Sequence, residues 1–118
     1  MAVSGVFANA SETRTLVDGE VVFAEGDTGA QMFGVVSGAV VLRDGEHVVA
    51  TVDAGGTFGE LAIIDHSPRS LTAVAFGDTT LAVVDERTFL FLVHETPMFA
   101  LQVMRSLAAT VRRRGTDG

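Results

Sequence analysis

The chain has 118 residues, of which 47% are apolar, and its 8 basic and 15 acidic side chains give a formal net charge of -7. This length suits one domain with one hydrophobic core, and the apolar content excludes a disordered chain. The negative charge argues against nucleic-acid binding by the domain itself, and the apolar runs are too short to span a membrane. The chain contains no cysteine, which excludes disulfides and thiolate metal sites. We therefore expect a single cytoplasmic domain over residues 1–118, with no apparent signal peptide.

Short apolar strands separated by turn signals dominate the chain after a predicted short helix at residues 3–10. The predicted strands cover residues 14–17, 20–24, 32–37, 39–43, 47–52, 71–75 and 79–84. Asp–Gly and Ser–Gly pairs separate several of them, and residues 76–78 are expected to close a hairpin. Regular short strands with such turns indicate a β-sandwich or a β-barrel.

Two helices are predicted near the C-terminal end. Asp85 is expected to cap the first, residues 86–94, and Pro97 fits the first turn of the second, residues 97–114. The basic run at residues 112–114 complements the C-terminus of that helix and is too short and isolated to indicate DNA binding. The second helix also carries an apolar stripe near helical spacing, formed by Met98, Leu101, Val103, Met104, Leu107, Ala108 and Val111. Two interpretations of the stripe stay open: it packs on the sheet, or part of it pairs with a second copy or covers a ligand.

Residues 58–72, called the cassette below, carry most of the functional information. Gly59 and Glu60 precede a short apolar helical turn, whose first amides lack helical partners and suit an anion. Pro68 ends any helix, and Arg69 then offers a planar fork of donors that matches two phosphate oxygens. Glu60 needs a donor instead, such as a sugar hydroxyl. The arrangement predicts a ligand that carries both a hydroxyl and an anionic group.

A simpler interpretation exists for each of these residues taken alone. Arg69 pairs with Asp65 or Glu60 at the surface, which contributes little. Glu60 is a plain helix-capping carboxylate. The order and spacing of the residues together favour the ligand-binding interpretation.

The cassette resembles the phosphate-binding cassette of cyclic-nucleotide-binding domains, the family of catabolite activator proteins and protein kinase A regulatory subunits. Residues 25–40 resemble the family's glycine-rich hairpin region, while residues 83–85, Phe89 and residues 97–114 resemble its last strand and C-terminal helices. The presence of both glycine-bearing blocks makes the resemblance specific. It implies a mainly β fold, an eight-stranded jelly-roll β-sandwich with a short N-terminal helix, a short cassette helix and C-terminal helices.

The resemblance also implies roles for the site residues. Glu60 would accept a hydrogen bond from the ribose 2′-hydroxyl, and Arg69 would bind the oxygens of the cyclic phosphate. Backbone amides of Gly59, Leu61 and Ala62 would complete the phosphate site.

The strand after Arg69 adds three residues to the prediction. Ser70 and Thr72 share a face of that strand and are expected to contribute hydroxyls. In the family, serine at the position of Ser70 is associated with tolerance of guanine, so cGMP stays open beside cAMP, which is favoured. Leu71 stands where alanine is common, and it either points into the barrel or crowds the site.

These observations predict a cyclic-nucleotide sensor, without a cofactor, that signals by moving its C-terminal helices. Its length leaves no room for an effector domain, so it acts through an unknown partner or belongs to a longer protein. The helix at residues 97–114 is a candidate homodimer contact. An enzyme on this scaffold is disfavoured, because His47, His66 and His94 are scattered and no serine lies in a nucleophile-elbow setting. The remaining alternative is the same fold with a degenerate site, acting as a protein-interaction module.

Overall fold

The computed structural model describes residues 12–117, without the side chains of residues 110 and 113–117. The helix predicted at residues 3–10 lies outside the described residues. In chain order, the described elements are β1 (Thr13–Leu16), β2 (Val21–Phe23), β3 (Gln31–Asp44), β4 (His47–Asp53), β5 (Thr57–Phe58), α1 (Leu61–Ile64), β6 (Thr72–Asp85), α2 (Glu86–Glu95) and α3 (Pro97–Asp117).

The described strands join one antiparallel sheet built around a ribbon of β3 and β6. The two long strands pair along most of their length, but their register shifts between Val35 and Ala39, where Gly38 has a φ of 82°. On one side of this shift β1 pairs with β6 and β5 pairs with β3. On the other side β2 pairs with β6 and β4 pairs with β3. Each long strand therefore contributes to two groups of four paired segments.

The strand count differs from the predicted eight, because the described residues contain six strands. The separate strands predicted at residues 32–37 and 39–43 form the single strand β3, and those at 71–75 and 79–84 form the single strand β6. The predicted hairpin across residues 76–78 is wrong, since an irregularity in the ladder bends both strands there without reversing them. The mainly β antiparallel architecture with C-terminal helices is confirmed. Closure of the sheet into a jelly roll stays a prediction.

Apolar side chains bury both faces of the ribbon where the first half of β3 pairs with the second half of β6. Phe33 and Val35 face one core cluster, while Met32, which precedes Phe33 in β3, faces the other. The first cluster consists of Leu16, Val22, Phe33, Val35, Val40, Phe58, Ala73, Ala75, Leu81 and Val83. The second lies under the helices and consists of Met32, Ile63, Ala82, Val84, Phe99 and Val103. Burial on both faces explains why these strand segments are almost continuously apolar.

The C-terminal helices are anchored on the second cluster. Asp85 caps α2 as predicted, because its Oδ1 accepts a hydrogen bond of 2.8 Å from the backbone N–H of Thr88. Phe89 of α2 packs edge-on against Phe99 of α3, with ring centroids 5.8 Å apart. In the part of the chain that the structure describes, no helix is long and apolar enough to cross a membrane.

Candidate functional site

A cavity of about 320 Å³ lies between the cassette, the β3–β4 hairpin and α3. Its volume is in the range of pockets that bind small molecules. Six of the seven predicted site residues line it, namely Gly59, Glu60, Leu61, Ala62, Arg69 and Ser70. The fold thus brings the helix start of the cassette and the segment just before β6 to one wall.

Glu60 is a buried carboxylate at this wall, with only 6% of its surface exposed. Its Oε1 has no hydrogen-bond partner among residues 12–117. The side chain makes no capping hydrogen bond to α1, so the interpretation of Glu60 as a plain cap is wrong. A buried acceptor without a partner is costly in an isolated fold, and a ligand hydroxyl would satisfy it.

Arg69 is also buried, with 8% exposure, and does not pair at the surface as the simpler interpretation held. Its Nη1 donates to the carbonyl oxygen of Gly59 at 3.1 Å, and its Nη2 donates to that of Gln31 at 2.8 Å. Burial lowers the pKa of Arg69, while the nearby carboxylates of Asp27 and Glu60 raise it. Arginine stays charged at neutral pH regardless, so the cavity wall carries a fixed cation.

The backbone of Arg69 is held by the turn at residues 25–27. Its N–H donates to the carbonyl oxygen of Asp27, and its carbonyl oxygen accepts from the N–H of Gly26, both at 2.8 Å. The two glycine-bearing blocks of the sequence therefore meet at this residue. These two hydrogen bonds fix the backbone of Arg69 relative to that turn.

Gly59 is required where the cassette passes Arg69. Its φ of 83° lies in the left-handed region, and a Cβ atom there would lie 2.9 Å from Nη1 of Arg69. A larger residue at this position would be strained and would displace the guanidinium.

The three residues that follow Arg69 differ in their position relative to the cavity, and only Thr72 lies on β6. Ser70 is exposed and lines the cavity. Leu71 is half-buried and also lines the cavity. Thr72 is not part of the cavity wall, and its Oγ1 accepts a hydrogen bond of 3.0 Å from the N–H of Glu25. A ligand-binding role for Thr72 stays a prediction that this placement does not support.

Several cavity residues carry no signal in the sequence. Leu42, Ala50 and Val52 of the β3–β4 hairpin line the cavity, as do Ser106, Leu107 and Ala109 of α3. Thr57 also lines it, and its buried Oγ1 has no hydrogen-bond partner among the described residues. The alternation of apolar residues predicts only that these side chains are buried. It cannot show that a cavity separates the β3–β4 hairpin from the cassette.

Titratable residues do not gather into a metal centre in the described part of the chain. No group of three or more His, Cys, Asp or Glu side chains there could hold an ion. His47, His66 and His94 are exposed and lie on β4, on the loop after α1 and on α2.

An antiparallel β domain with C-terminal helices and a cavity lined by a buried carboxylate and a buried arginine defines a small-molecule-binding domain. The sequence matches the family model of the cyclic nucleotide-binding domain over residues 13–96. This match covers well over half of the chain, which therefore belongs to the cyclic nucleotide-binding domain family.

Two relatives show the range of proteins that carry similar domains. The chain is 32% identical over 108 residues to the cyclic AMP receptor protein of Thermus thermophilus, covering 87% of this chain and 48% of the receptor. It is 38% identical over 86 residues to the cAMP-dependent protein kinase regulatory subunit of Blastocladiella emersonii, covering 69% of this chain and 21% of the subunit. The chain thus spans about half of one relative and about a fifth of the other.

Solved structures resemble the fold over most of the chain. The catabolite activator protein of Thermus thermophilus is 29% identical with a TM-score of 0.77, covering 90% of this chain and 52% of that one. A structure from work on a cyclic-GMP-dependent signalling pathway that regulates bacterial phytopathogenesis is 30% identical with a TM-score of 0.77. The match covers 95% of each chain.

Proposed function

We propose that this chain is a regulatory module that binds a cyclic nucleotide in the cavity, with cAMP bound more tightly than cGMP. Arg69 binds the cyclic phosphate, and Glu60 accepts from the ribose 2′-hydroxyl. The observation that carries the proposal is the presence of a buried cation and a buried, unpartnered carboxylate oxygen at the wall of one cavity. The names of several relatives, which refer to cAMP, support the preference for that nucleotide.

The proposed signal is a movement of α3 and α2 when the nucleotide binds. Ser106, Leu107 and Ala109 place α3 against the cavity, so a bound base would contact that helix. A ligand shifts a conformational equilibrium only if it makes different contacts in the two states, and a base that contacts these three residues in one state alone would supply that difference. Because the chain lacks cysteine, spin labels at Glu46→Cys and Arg105→Cys report the distance between the hairpin and α3. An unchanged distance distribution on adding saturating cAMP would contradict the movement without contradicting binding.

Titration calorimetry with cAMP and cGMP tests the binding itself. We expect micromolar or tighter binding of cAMP and weaker binding of cGMP by protein that has been freed of co-purified nucleotide. Absence of both heat and thermal shift with either nucleotide would refute the proposal.

The alternative is the same fold with a degenerate site that serves as a protein-interaction module. Leu71 favours it, because this side chain borders the cavity where a smaller residue would leave more room. Leu71→Ala separates the two functions. Binding that appears only in this variant would identify Leu71 as the block and favour the interaction module.

The partners we propose are a second copy of the chain, through the helix at residues 97–114, and an effector protein of unknown identity. Support for the homodimer comes from apolar residues of α3 that the sheet leaves uncovered, namely Met98, Leu101, Met104 and Val111. A cytoplasmic location and the absence of a cofactor stay predictions.

A further inference from the structure

Phe23 at the end of β2 lies against the guanidinium of Arg69. The guanidinium carbon of Arg69 is above the ring of Phe23, 4.1 Å from its centroid. Phe33 is farther away, at 5.9 Å. Phe23 is half-buried and lines the same cavity as Arg69. One face of the cation is therefore covered by an aromatic ring at the edge of the site.

Two backbone carbonyls fix the same guanidinium in its plane. The carbonyl oxygens of Gly59 and Gln31 accept from Nη1 and Nη2. A guanidinium has five N–H donors, so these two bonds leave three for a ligand. The carbonyls thus limit rotation of the fork within its plane, while the ring of Phe23 limits its tilt. A side chain held in this way loses less freedom when it binds an anion.

The surroundings of the pair strengthen the contact. Arg69 is 8% exposed, and a cation over an aromatic face is attracted more strongly where water is displaced. Asp27 and Glu60 lie near enough to raise the pKa of Arg69 against the opposing effect of burial. Neither carboxylate forms an ion pair with Arg69 within the described residues. The ring and the two carbonyls therefore orient the guanidinium, while the carboxylates act only through their charge.

We propose that Phe23 is a positioning residue, which holds the guanidinium of Arg69 so that its remaining N–H groups face an anionic ligand in the cavity. This inference rests on the proposed binding of a cyclic nucleotide. It gives Phe23 a role beyond its packing in the core, where its ring centroid lies 6.1 Å from that of Phe33 and 5.9 Å from that of Phe58. A residue that served the core alone would be replaceable by leucine without a specific effect on phosphate binding.

The test is a double-mutant cycle on cAMP affinity, measured by calorimetry on the full chain. Phe23→Leu removes the ring face and keeps an apolar side chain, and Arg69→Lys keeps the charge but loses the planar fork. We expect Phe23→Leu to weaken cAMP binding about tenfold when residue 69 is arginine and less than about threefold when it is lysine, since lysine has no planar fork for the ring to orient. Phe89→Leu is the matched control, because Phe89 is another half-buried aromatic but packs on Phe99, away from the cavity.

A second measurement uses stepwise fluorination of the Phe23 ring. This change keeps the shape of the side chain, so it tests the inference even if the leucine variant fails to fold. Stepwise fluorination weakens the negative face of the ring, so cAMP affinity should fall with each step. Equal losses from Phe23→Leu in both backgrounds, or affinity unaffected by fluorination, would overturn the inference and leave nucleotide binding standing. Failure of the unmodified chain to bind cAMP or cGMP would refute the proposed function itself, and the inference with it.

Discussion

Arg69 and Glu60 are charged side chains buried at one cavity wall, a position that charged residues seldom take unless they have partners. Arg69 has partners in two carbonyl oxygens, whereas Oε1 of Glu60 has none among the described residues. We therefore expect substitutions of the two residues to change the affinity for the nucleotide by different amounts.

Replacement of Arg69 by alanine is expected to weaken cAMP binding by about 2–3 kcal/mol, because hydrogen bonds to charged groups are among the strong ones. Isothermal titration of Arg69→Ala measures the loss. Arg87→Ala is the control, since Arg87 is exposed on α2 and away from the cavity. Equal affinity of Arg69→Ala and the unmodified chain would show that the phosphate does not bind at this residue.

Glu60→Gln is expected to weaken binding less, by about 1 kcal/mol, because an amide carbonyl still accepts from a hydroxyl. The loss should be present with cAMP and absent with 2′-deoxy-cAMP, which lacks the donor. A competition assay with both nucleotides on both proteins makes the comparison. A similar loss with the deoxy analogue would place the ribose elsewhere in the cavity.

At the scale of elements, the bend shared by β3 and β6 depends on Gly38. Its φ of 82° is left-handed, and a Cβ atom there would lie 2.6 Å from Oγ1 of Thr79, besides meeting the carbonyl of Asp78. Oγ1 of Thr79 in turn donates to the carbonyl of Ala39 across the ribbon. The bend thus has no room for a side chain.

We expect Gly38→Ala to lower the free energy of unfolding by about 3 kcal/mol, from a strained φ combined with overpacking. Gly45→Ala is the control, because Gly45 has a φ of 61° but no atom within 4 Å of the added Cβ. That variant should lose only about 1 kcal/mol, from strain alone. Urea unfolding of both variants gives the two values, and equal losses would argue against crowding at Gly38.

The start of α2 depends on the cap by Asp85, which accepts from the N–H of Thr88. This hydrogen bond holds the pKa of Asp85 below its ordinary value of 3.8. The folded state therefore favours the ionised form, and the resulting stability is complete above the ordinary pKa and lost as pH falls through the lower folded pKa.

Asp85→Ala should accordingly lower the melting temperature at pH 6, and the difference from the unmodified chain should shrink as the pH is lowered below 3.8. Asp85→Asn, which keeps a side-chain acceptor, should melt closer to the unmodified chain. Thermal denaturation followed by circular dichroism at several pH values makes the measurement. A difference that grows on acidification would contradict the cap as its source.

At the scale of the whole molecule, α3 has one covered and one uncovered apolar face. Phe99 and Val103 are buried on the second core cluster, whereas Met104 and Val111 are 62% and 69% exposed. Part of the apolar stripe predicted from the sequence therefore packs on the core, and the pairing of its exposed part with a second copy stays a proposal. Leu101, Met104, Ala108 and Val111 follow one another at intervals of three and four residues, the spacing of a helix-pairing seam.

We expect the chain to be dimeric in solution and Met104→Glu to make it monomeric, because a carboxylate at the centre of the seam would be buried without a partner. Arg105→Glu is the control, since it introduces the same carboxylate at the neighbouring exposed position outside the seam. Light scattering coupled to gel filtration measures the mass of each variant. A monomeric unmodified chain would refute the proposed homodimer while leaving nucleotide binding unaffected.

Local patterns in the sequence determined the short helix at residues 61–64, the cap at Asp85 and the two C-terminal helices, because turn residues, capping residues and apolar spacing act over a few neighbours. They also brought Glu60 and Arg69 together in one prediction, since both lie in a single short segment. The same local patterns led to a wrong prediction of chain-reversing turns at Gly38 and at residues 76–78, where the strands continue. Whether a glycine reverses a strand or only bends it depends on the partner strand, which lies about forty residues away in the sequence.

Only the tertiary structure decided what surrounds the site. The contact of Phe23 with Arg69, the position of Leu71 at the cavity, and the α3 residues on its wall all join segments far apart in the chain. The hydrogen bond from the N–H of Glu25 to Oγ1 of Thr72 is another such contact. Amphipathic spacing shows that a residue is apolar and on a given face, but the neighbour of that face is fixed only when the sheet and helices pack together.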